Sequence, residues 1–368
     1  LDVFIMMPSC VPATALDESG AVLGPEDLKP YYDNPRVLGL AEVMNSLGVV
    51  AGMDDLMGKL SDAGSRGKVI DGHAPFLEGN GLNAYVCAGV LSDHECSDID
   101  EALKKLGRGQ YIMIREGTAA RNLEALMPLF AAPYYERCML VTDDKHPGDL
   151  ISMGHIDYII RKAVSLGADP IKAIKMGTLH SARYFGLKDR GAVMPGLRAD
   201  LAVLEDLKDF RVLAVYKDGK LAAEKGVCIQ EKEDKSRELA SAFPRVFDSF
   251  HLDEITLKDL ELEKKGTMQR VIQFKPHELL TQERILPWPD DDTAAAQGHR
   301  AQGVDLNEDI VKAAVFERHL HTGHTGIGFI GGYGLKKGAV ATSVAHDSHN
   351  LIVIGTNDRD MVLAANAV

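Results

Sequence analysis

The stretch Ser92-Asp93-His94-Glu95 places an imidazole between two carboxylates at the end of an apolar run, VCAGVLSDHECS. Similar side chains close other apolar runs: His73 in KVIDGHAP, Glu42 in VLGLAEVMN and Asp143 in RCMLVTDD. Imidazole and carboxylate suit borderline divalent metals such as zinc, manganese or iron. A water on such a metal becomes a hydroxide-like nucleophile near neutral pH, so these residue types point to metal-assisted hydrolysis. Taken singly, each has an ordinary explanation. A strand-end histidine is commonly a hydrogen-bonded structural residue, and Asp143 is a suitable cap for a following helix. Glu42 has less excuse, because an unpaired carboxylate at an apolar strand end is costly. Four ligand-capable residues on separate strand ends make the metal reading the stronger one.

The elements that must position them are six short runs rich in Val, Ile, Leu, Met or Phe, at 3–10, 37–45, 68–75, 88–95, 110–117 and 137–144. Helical patterns lie between and after them, clearest at 118–130 and 149–167, where apolar residues recur at steps of three and four. Strands alternating with helices imply a parallel sheet. An open sheet gathers its chemistry at one switch point, whereas a closed barrel builds its site from all the strand ends on one face. Polar residues at nearly every strand end therefore favour an α/β fold of the (β/α)8 TIM type. Such a barrel needs about eight strands. With six in view, the expectation is a barrel lacking its first two strands, which would lie upstream of Leu1 in an N-terminally truncated chain.

After a further helix at 169–187 the pattern changes to short β segments with Gly turns, including a Lys-Asp-Gly-Lys hairpin at 217–220. The charged EKEDKSRE at 231–238 marks a second boundary, and the acidic stretch 287–303 reads as a surface loop. The expected domains are a barrel at 1–188, a small β-sandwich segment at 189–230 and a C-terminal α+β domain at 231–368. The glycines of GFIGGYGLKKG lack phosphate-loop spacing and read as turns.

Composition narrows the partners. With 41 basic and 54 acidic residues the net charge is -13, which argues against nucleic acid or an anionic membrane surface. The five cysteines form no CxxC pair and no even disulfide framework. No apolar run reaches membrane-spanning length, and no secretory signal precedes the first strand. A cytoplasmic homo-oligomer acting on a small molecule is the expectation.

Eight blocks in order carry a resemblance over essentially the whole chain: FIMMPSCVPAT, LGLAEVMN, DGHAP, LNAYVCAGVLSDHE, YIMIREGTAARNLEAL, LVTDDKHPGDL, GAVMPGLRADLAVL and VAHDSHNLIVIGTND. They resemble the adenine deaminases of the amidohydrolase superfamily. That resemblance implies a (β/α)8 barrel flanked by a small β-sandwich, with an added C-terminal domain. It implies that His73 and His94 are metal ligands from the fifth and sixth strands and that Asp143 is the metal-bound general base of the eighth. Glu42, on the fourth strand, would take the bridging place that many members fill with a carboxylated lysine. The implied cofactor is a divalent metal, binuclear, with manganese or iron favoured and zinc allowed. The implied reaction is deamination of adenine to hypoxanthine and ammonia by a metal-held hydroxide attacking C6, with Asp143 moving the proton to the departing amine. One departure stands out. The superfamily's first-strand His-x-His has no counterpart in LDVFIMMPS, and His319-Leu320-His321 with His324 falls outside the barrel pattern.

Several supporting residues keep two readings each. Glu95 is a proton shuttle or purine contact, or else an orienter of its neighbours. Arg115 binds a ring acceptor of the substrate, or else forms a salt bridge to Glu116 or another carboxylate. Ser9, Asp71 and Ser92 are strand-end polar residues within reach of a substrate. His346, Asp347 and His349 form a lid or second site, or else a solvated turn. The competing functions are a hydantoinase-like or dihydroorotase-like ring hydrolase and a catalytically inactive barrel serving as a binding module.

Overall fold

Short β-branched and apolar runs pair as parallel strands wherever helices can cover both faces of the sheet, and the first part of this chain supplies that alternation. A computed structural model describes residues 2–229, 235–275, 281–289 and 301–368. Much of the charged stretch at 231–238 and of the acidic stretch at 287–303 lies outside the described residues. The chain divides into two compact units, Leu1–Cys10 with Leu23–Glu233 and Val11–Val22 with Asp234–Val368.

In the first unit, β1 (Ile5–Met7), β2 (Val37–Val43) and β3 (Val69–Gly72) form one parallel sheet. Strands β4 (Ser92–Asp93), β5 (Tyr111–Arg115) and β6 (Cys138–Val141) form a second. The Leu91 N–H donates to the Ile70 carbonyl at 3.0 Å, so β4 follows directly on β3. All six runs expected as strands thus contain parallel strands, although the fourth shrinks to two residues. The helix Gly79–Cys87 runs almost to Gly89, whose φ of +96° turns the chain and leaves little length to pair.

The helices depart further from the periodic pattern. The segment 118–130, expected as one helix, is a tight turn followed by a 3₁₀ turn at Met127–Phe130. Gly117 N–H bonds the Ala120 carbonyl and Asn122 N–H bonds the Arg115 carbonyl, folding the chain back onto β5. The apolar spacing was real but served burial: Leu123, Leu126, Leu129 and Phe130 all enter the core. The 149–167 pattern resolves into helices Pro147–Ser152 and Ile156–Ser165, parted at Gly154 with φ +105°. The 169–187 pattern likewise splits at Thr178 into Pro170–Gly177 and Leu179–Tyr184.

The main core joins Ile112, Ile114 and Leu140 of the sheet to Ile159, Ala163, Ala173 and Met176 of the covering helices. Leu129 is fully buried there and its apolar side chain takes part in none of the hydrogen bonds or ion pairs described below. Leu129→Ala is expected to cost about 2–5 kcal/mol through lost burial and the cavity left behind, read as a shift in the urea midpoint.

Antiparallel strands β7 (Leu201–Leu204), β8 (Val212–Lys217), β9 (Lys220–Glu224) and β10 (Val227–Cys228) follow as one sheet. The hairpin expected at 217–220 is present, with Lys217 paired to Lys220 and positive φ at Asp218 and Gly219, as a two-residue primed turn requires.

The described residues of the second unit include a six-stranded sheet, ordered Gln282–Pro287, Met268–Gln273, Thr325–Gly331, Ile310–Phe316, Leu351–Gly355 and Ala339–Thr342. Its strands are β11 (Met268–Gln273), β12 (Gln282–Pro287), β13 (Ile310–Phe316), β14 (Thr325–Gly331), β15 (Ala339–Thr342) and β16 (Leu351–Gly355). Helix Asp358–Asn366 packs Met361 and Ala365 against Leu351 and Val353. Part of GFIGGYGLKKG is strand β14, with turns at Gly332, Gly334 and Gly338, all of positive φ.

Candidate metal centre

Parallel strands run the same way, so their C-terminal ends share one edge of the sheet, and each candidate residue sits at or just past such an end. Glu42 is the next-to-last residue of β2, His73 follows β3, His94 follows β4, Arg115 ends β5, and Asp143 lies just beyond β6. Buried polar groups set the strand ends in place. The Tyr85 hydroxyl accepts the His73 N–H at 3.0 Å and donates to the Val43 carbonyl at 2.6 Å, tying β2 to β3. Ser9 donates to the Glu42 carbonyl at 2.6 Å. The Asn122 amide donates to the His94 and Cys96 carbonyls at 3.3 and 2.8 Å.

The side chains converge. Glu42 Oε2 lies 3.2 Å from His73 Nδ1 and 3.0 Å from His94 Nε2, and the two ring nitrogens are 3.3 Å apart. Glu95 Oε1 is 3.5 Å from His73 Nδ1 and 3.4 Å from His94 Nε2, and Asp143 Oδ2 is 4.0 Å from the latter. Two overlapping groups of potential ligands result: Glu42, His73 and His94, then His94, Glu95 and Asp143. They are the only such groups among the described residues.

The donor set fits a divalent cation. Nitrogen and oxygen ligands bind zinc at about 2.0–2.2 Å, so neighbouring donors stand about 2.8–3.6 Å apart across octahedral to tetrahedral arrays. The Glu42–His73–His94 triangle has sides of 3.0, 3.2 and 3.3 Å. Burial alone would raise the Glu42 carboxyl, but hydrogen bonds with His73 and His94 hold it well below the usual carboxylate range. Burial would lower His94, yet Glu42, Glu95 and Asp93 together hold it above its ordinary value. A cation serves the purpose of the proton those shifts retain, neutralising the carboxylates while leaving both ring nitrogens as donors.

Beside this group, Arg115 donates from Nη1 to both Glu95 and Asp143 and from Nη2 to Glu95 Oε2 at 2.9 Å. Burial works against its charge and the two carboxylates more than restore it. The carboxylate partners of Arg115 are thus Glu95 and Asp143; Glu116 pairs with Lys162 at 2.8 Å instead. Asp143 has φ +54°, a left-handed conformation of the kind that concentrates at functional sites.

Asp71 and Ser92 form a separate cluster, in which Asp71 accepts from Tyr184 and, at 3.1 Å, from Ser92. Burial raises the Asp71 carboxyl despite those bonds. His346, Asp347 and His349 lie in the second unit, with His346 Nδ1 3.6 Å from Asp347 Oδ1 and the two imidazoles 5.0 Å apart. Nearby, His319 bonds the Ser348 carbonyl, His321 pairs with Asp253 and His324 with Glu18. That His-x-His does not gather into a ligand group. Sequence reasoning missed Lys105 and Glu101, which are buried behind the histidines. The available signal was their four-residue spacing on one helix, with the lysine on its inward face.

Comparison with known proteins follows the same division of the chain. Residues 1–222 match the amidohydrolase family, and residues 278–368 match the adenine deaminase C-terminal domain. "Adenine deaminase 2" of Carboxydothermus hydrogenoformans is 44% identical over 368 residues, covering 99% of this chain and 61% of the relative. "Adenine deaminase" of Kosmotoga olearia is 44% identical over 371 residues, covering 100% of this chain and 62% of the relative. The chain therefore spans about three fifths of the length of these curated relatives. Among solved structures, a β-aspartyl dipeptidase from Fervidobacterium islandicum aligns with a TM-score of 0.50 at 16% identity, over 64% of this chain and 67% of that one. That likeness speaks to the fold alone, which is TIM-barrel-like and mixed α/β. With a family match over more than half its length and the histidine–carboxylate strand ends of a metal-dependent hydrolase, the chain belongs to the amidohydrolase family.

Proposed function

We propose that this chain is part of an adenine deaminase, converting adenine and water to hypoxanthine and ammonia. The observation that carries the reading is the joining of the convergent Glu42, His73, His94, Glu95 and Asp143 cluster to a C-terminal part that matches the adenine deaminase C-terminal domain. A generic ring hydrolase accounts for the first and not for the second. Family membership implies dependence on a divalent metal. Glu42, His73 and His94 would hold one ion, with Glu95 and Asp143 offering carboxylate donors toward a second; manganese or iron suits this carboxylate-rich set. When bound, such an ion supplies Lewis acidity and a water acidified to near neutral pH.

The chain's own residues do the rest. Asp143 takes a proton from the attacking water and delivers it to the amine leaving C6. Arg115 holds Asp143 and Glu95 in fixed positions, which makes it an orienter of carboxylates rather than a contact to the purine ring. Asp71 and Ser92 line the same strand edge on the side of Tyr184 and are offered as substrate contacts. The six parallel strands correspond to strands three to eight of the barrel in this reading. It assigns the barrel to 1–188, a β-sandwich part to 189–230 and the C-terminal α+β domain to 231–368. Support comes from the eight strands such a barrel takes, about two more than are seen here, and from the share of the relatives that the chain covers.

The test is adenine turnover by the full-length, manganese-loaded protein, followed as ammonia and hypoxanthine release. Stoichiometric release of both products is expected. A folded, metal-loaded protein that leaves adenine unchanged would move the assignment to another ring hydrolase or to an inactive barrel.

A further inference from the structure

Lys105 and Asp93 are completely buried and Glu101 nearly so. A buried ammonium is tolerated only when its three donors are satisfied. Lys105 uses all three, reaching the Ala74 carbonyl at 2.8 Å, Glu101 Oε1 at 2.7 Å and Asp93 Oδ2 at 3.1 Å. The carboxylates then reach the backbone beside the histidines. Asp93 Oδ2 accepts the Ala74 N–H at 2.9 Å, and its Oδ1 accepts the Glu95 N–H at 2.7 Å. Those two N–H groups belong to the peptide units that immediately follow His73 and His94. Glu101 Oε1 accepts the Phe76 N–H at 2.8 Å, extending the hold along the loop after β3.

One carboxylate thus grips the chain just past two candidate ligands on neighbouring strands, and one lysine, anchored on helix Ile99–Leu106, keeps that carboxylate in place. We propose that Asp93, Lys105 and Glu101 are positioning residues for the metal centre, fixing the separation of His73 and His94 and so setting the affinity for the divalent cation. The proposal rests on the metal reading of the Glu42–His73–His94 group. A network that served folding alone would be replaceable by apolar packing of similar volume. Here the hydrogen bonds converge on the two ligand-bearing segments, where a displacement of a few tenths of an ångström changes how well two nitrogens share one ion.

The experiment is a Mn²⁺ titration of the metal-free full-length protein, with free Mn²⁺ read by electron paramagnetic resonance. Lys105→Met is expected to weaken binding about 10–100-fold, the usual effect of losing a group that orients metal ligands. Glu101→Gln keeps an acceptor of the same shape and is the variant to use if Lys105→Met does not fold; about a tenfold loss is expected. Leu129→Ala, which removes stability but no hydrogen bond or ion pair of the network, is expected to bind Mn²⁺ as the parent does. Unchanged Mn²⁺ affinity in a folded network variant, or a loss no greater than that of Leu129→Ala, overturns the proposal while the metal centre stands. A parent protein that binds no Mn²⁺ overturns both.

Discussion

Asp143→Asn is expected to lower adenine turnover by about 10²–10⁴-fold, the range a positioned general base contributes. Asparagine is the informative replacement because of where the residue sits. At φ +54° most side chains would strain the backbone, but asparagine, like aspartate, adopts this region readily. The variant also keeps an oxygen for the Asp144 N–H, which Asp143 Oδ1 accepts at 2.7 Å. What it loses is the capacity to take up a proton, together with the negative charge that Arg115 faces. The loss should appear in kcat with little change in KM, as for an interaction made only in the transition state. Steady-state ammonia release alongside a thermal melt separates this from unfolding. A folded variant turning over adenine at close to the parent rate would remove Asp143 from the role of base.

Arg115→Met is expected to lower the stability of the first unit by about 3–5 kcal/mol, the usual result of removing one partner from a buried ionic group. The guanidinium stands between Glu95 and Asp143, and Glu95 is itself almost fully buried. Without it, the carboxylates of Glu95 and Asp143 face each other and that of Glu42 with no guanidinium among them. Arg115→Lys should recover little, since an ammonium cannot reproduce the paired Nη1 and Nη2 bonds to Glu95 while also reaching Asp143. Divalent metal should restore part of the loss by supplying the missing positive charge, so the urea midpoint of Arg115→Met is expected to rise more on adding Mn²⁺ than that of the parent. A cost below about 1 kcal/mol, the scale of an exposed ion pair, would mean that water already screens these charges.

The residues of the candidate metal centre were legible because parallel topology leaves little choice. Once apolar runs alternate with helices, the strand ends share one edge, and Glu42, His73, His94 and Asp143 must approach one another whatever the details between them. Helix boundaries were less legible. The three- and four-residue spacing over 118–130 reported which side chains would be buried, and a turn with a 3₁₀ segment buries Leu123, Leu126 and Leu129 as well as a helix would. Likewise the pattern over 149–167 ran through Gly154 without showing that the chain would turn there.

By itself the sequence determined the alternating architecture, the ligand-capable strand ends and the Lys-Asp-Gly-Lys hairpin, because each depends on local periodicity or on a turn residue of fixed conformation. Only the tertiary structure decided the partners of the charged groups. It gave Arg115 to Glu95 and Asp143, Glu116 to Lys162, and Lys105 to Asp93 and Glu101. The reason is physical: a buried charge must find its counter-charge at a distance of a few ångströms in space, and spacing along the chain does not encode which of several carboxylates will be there.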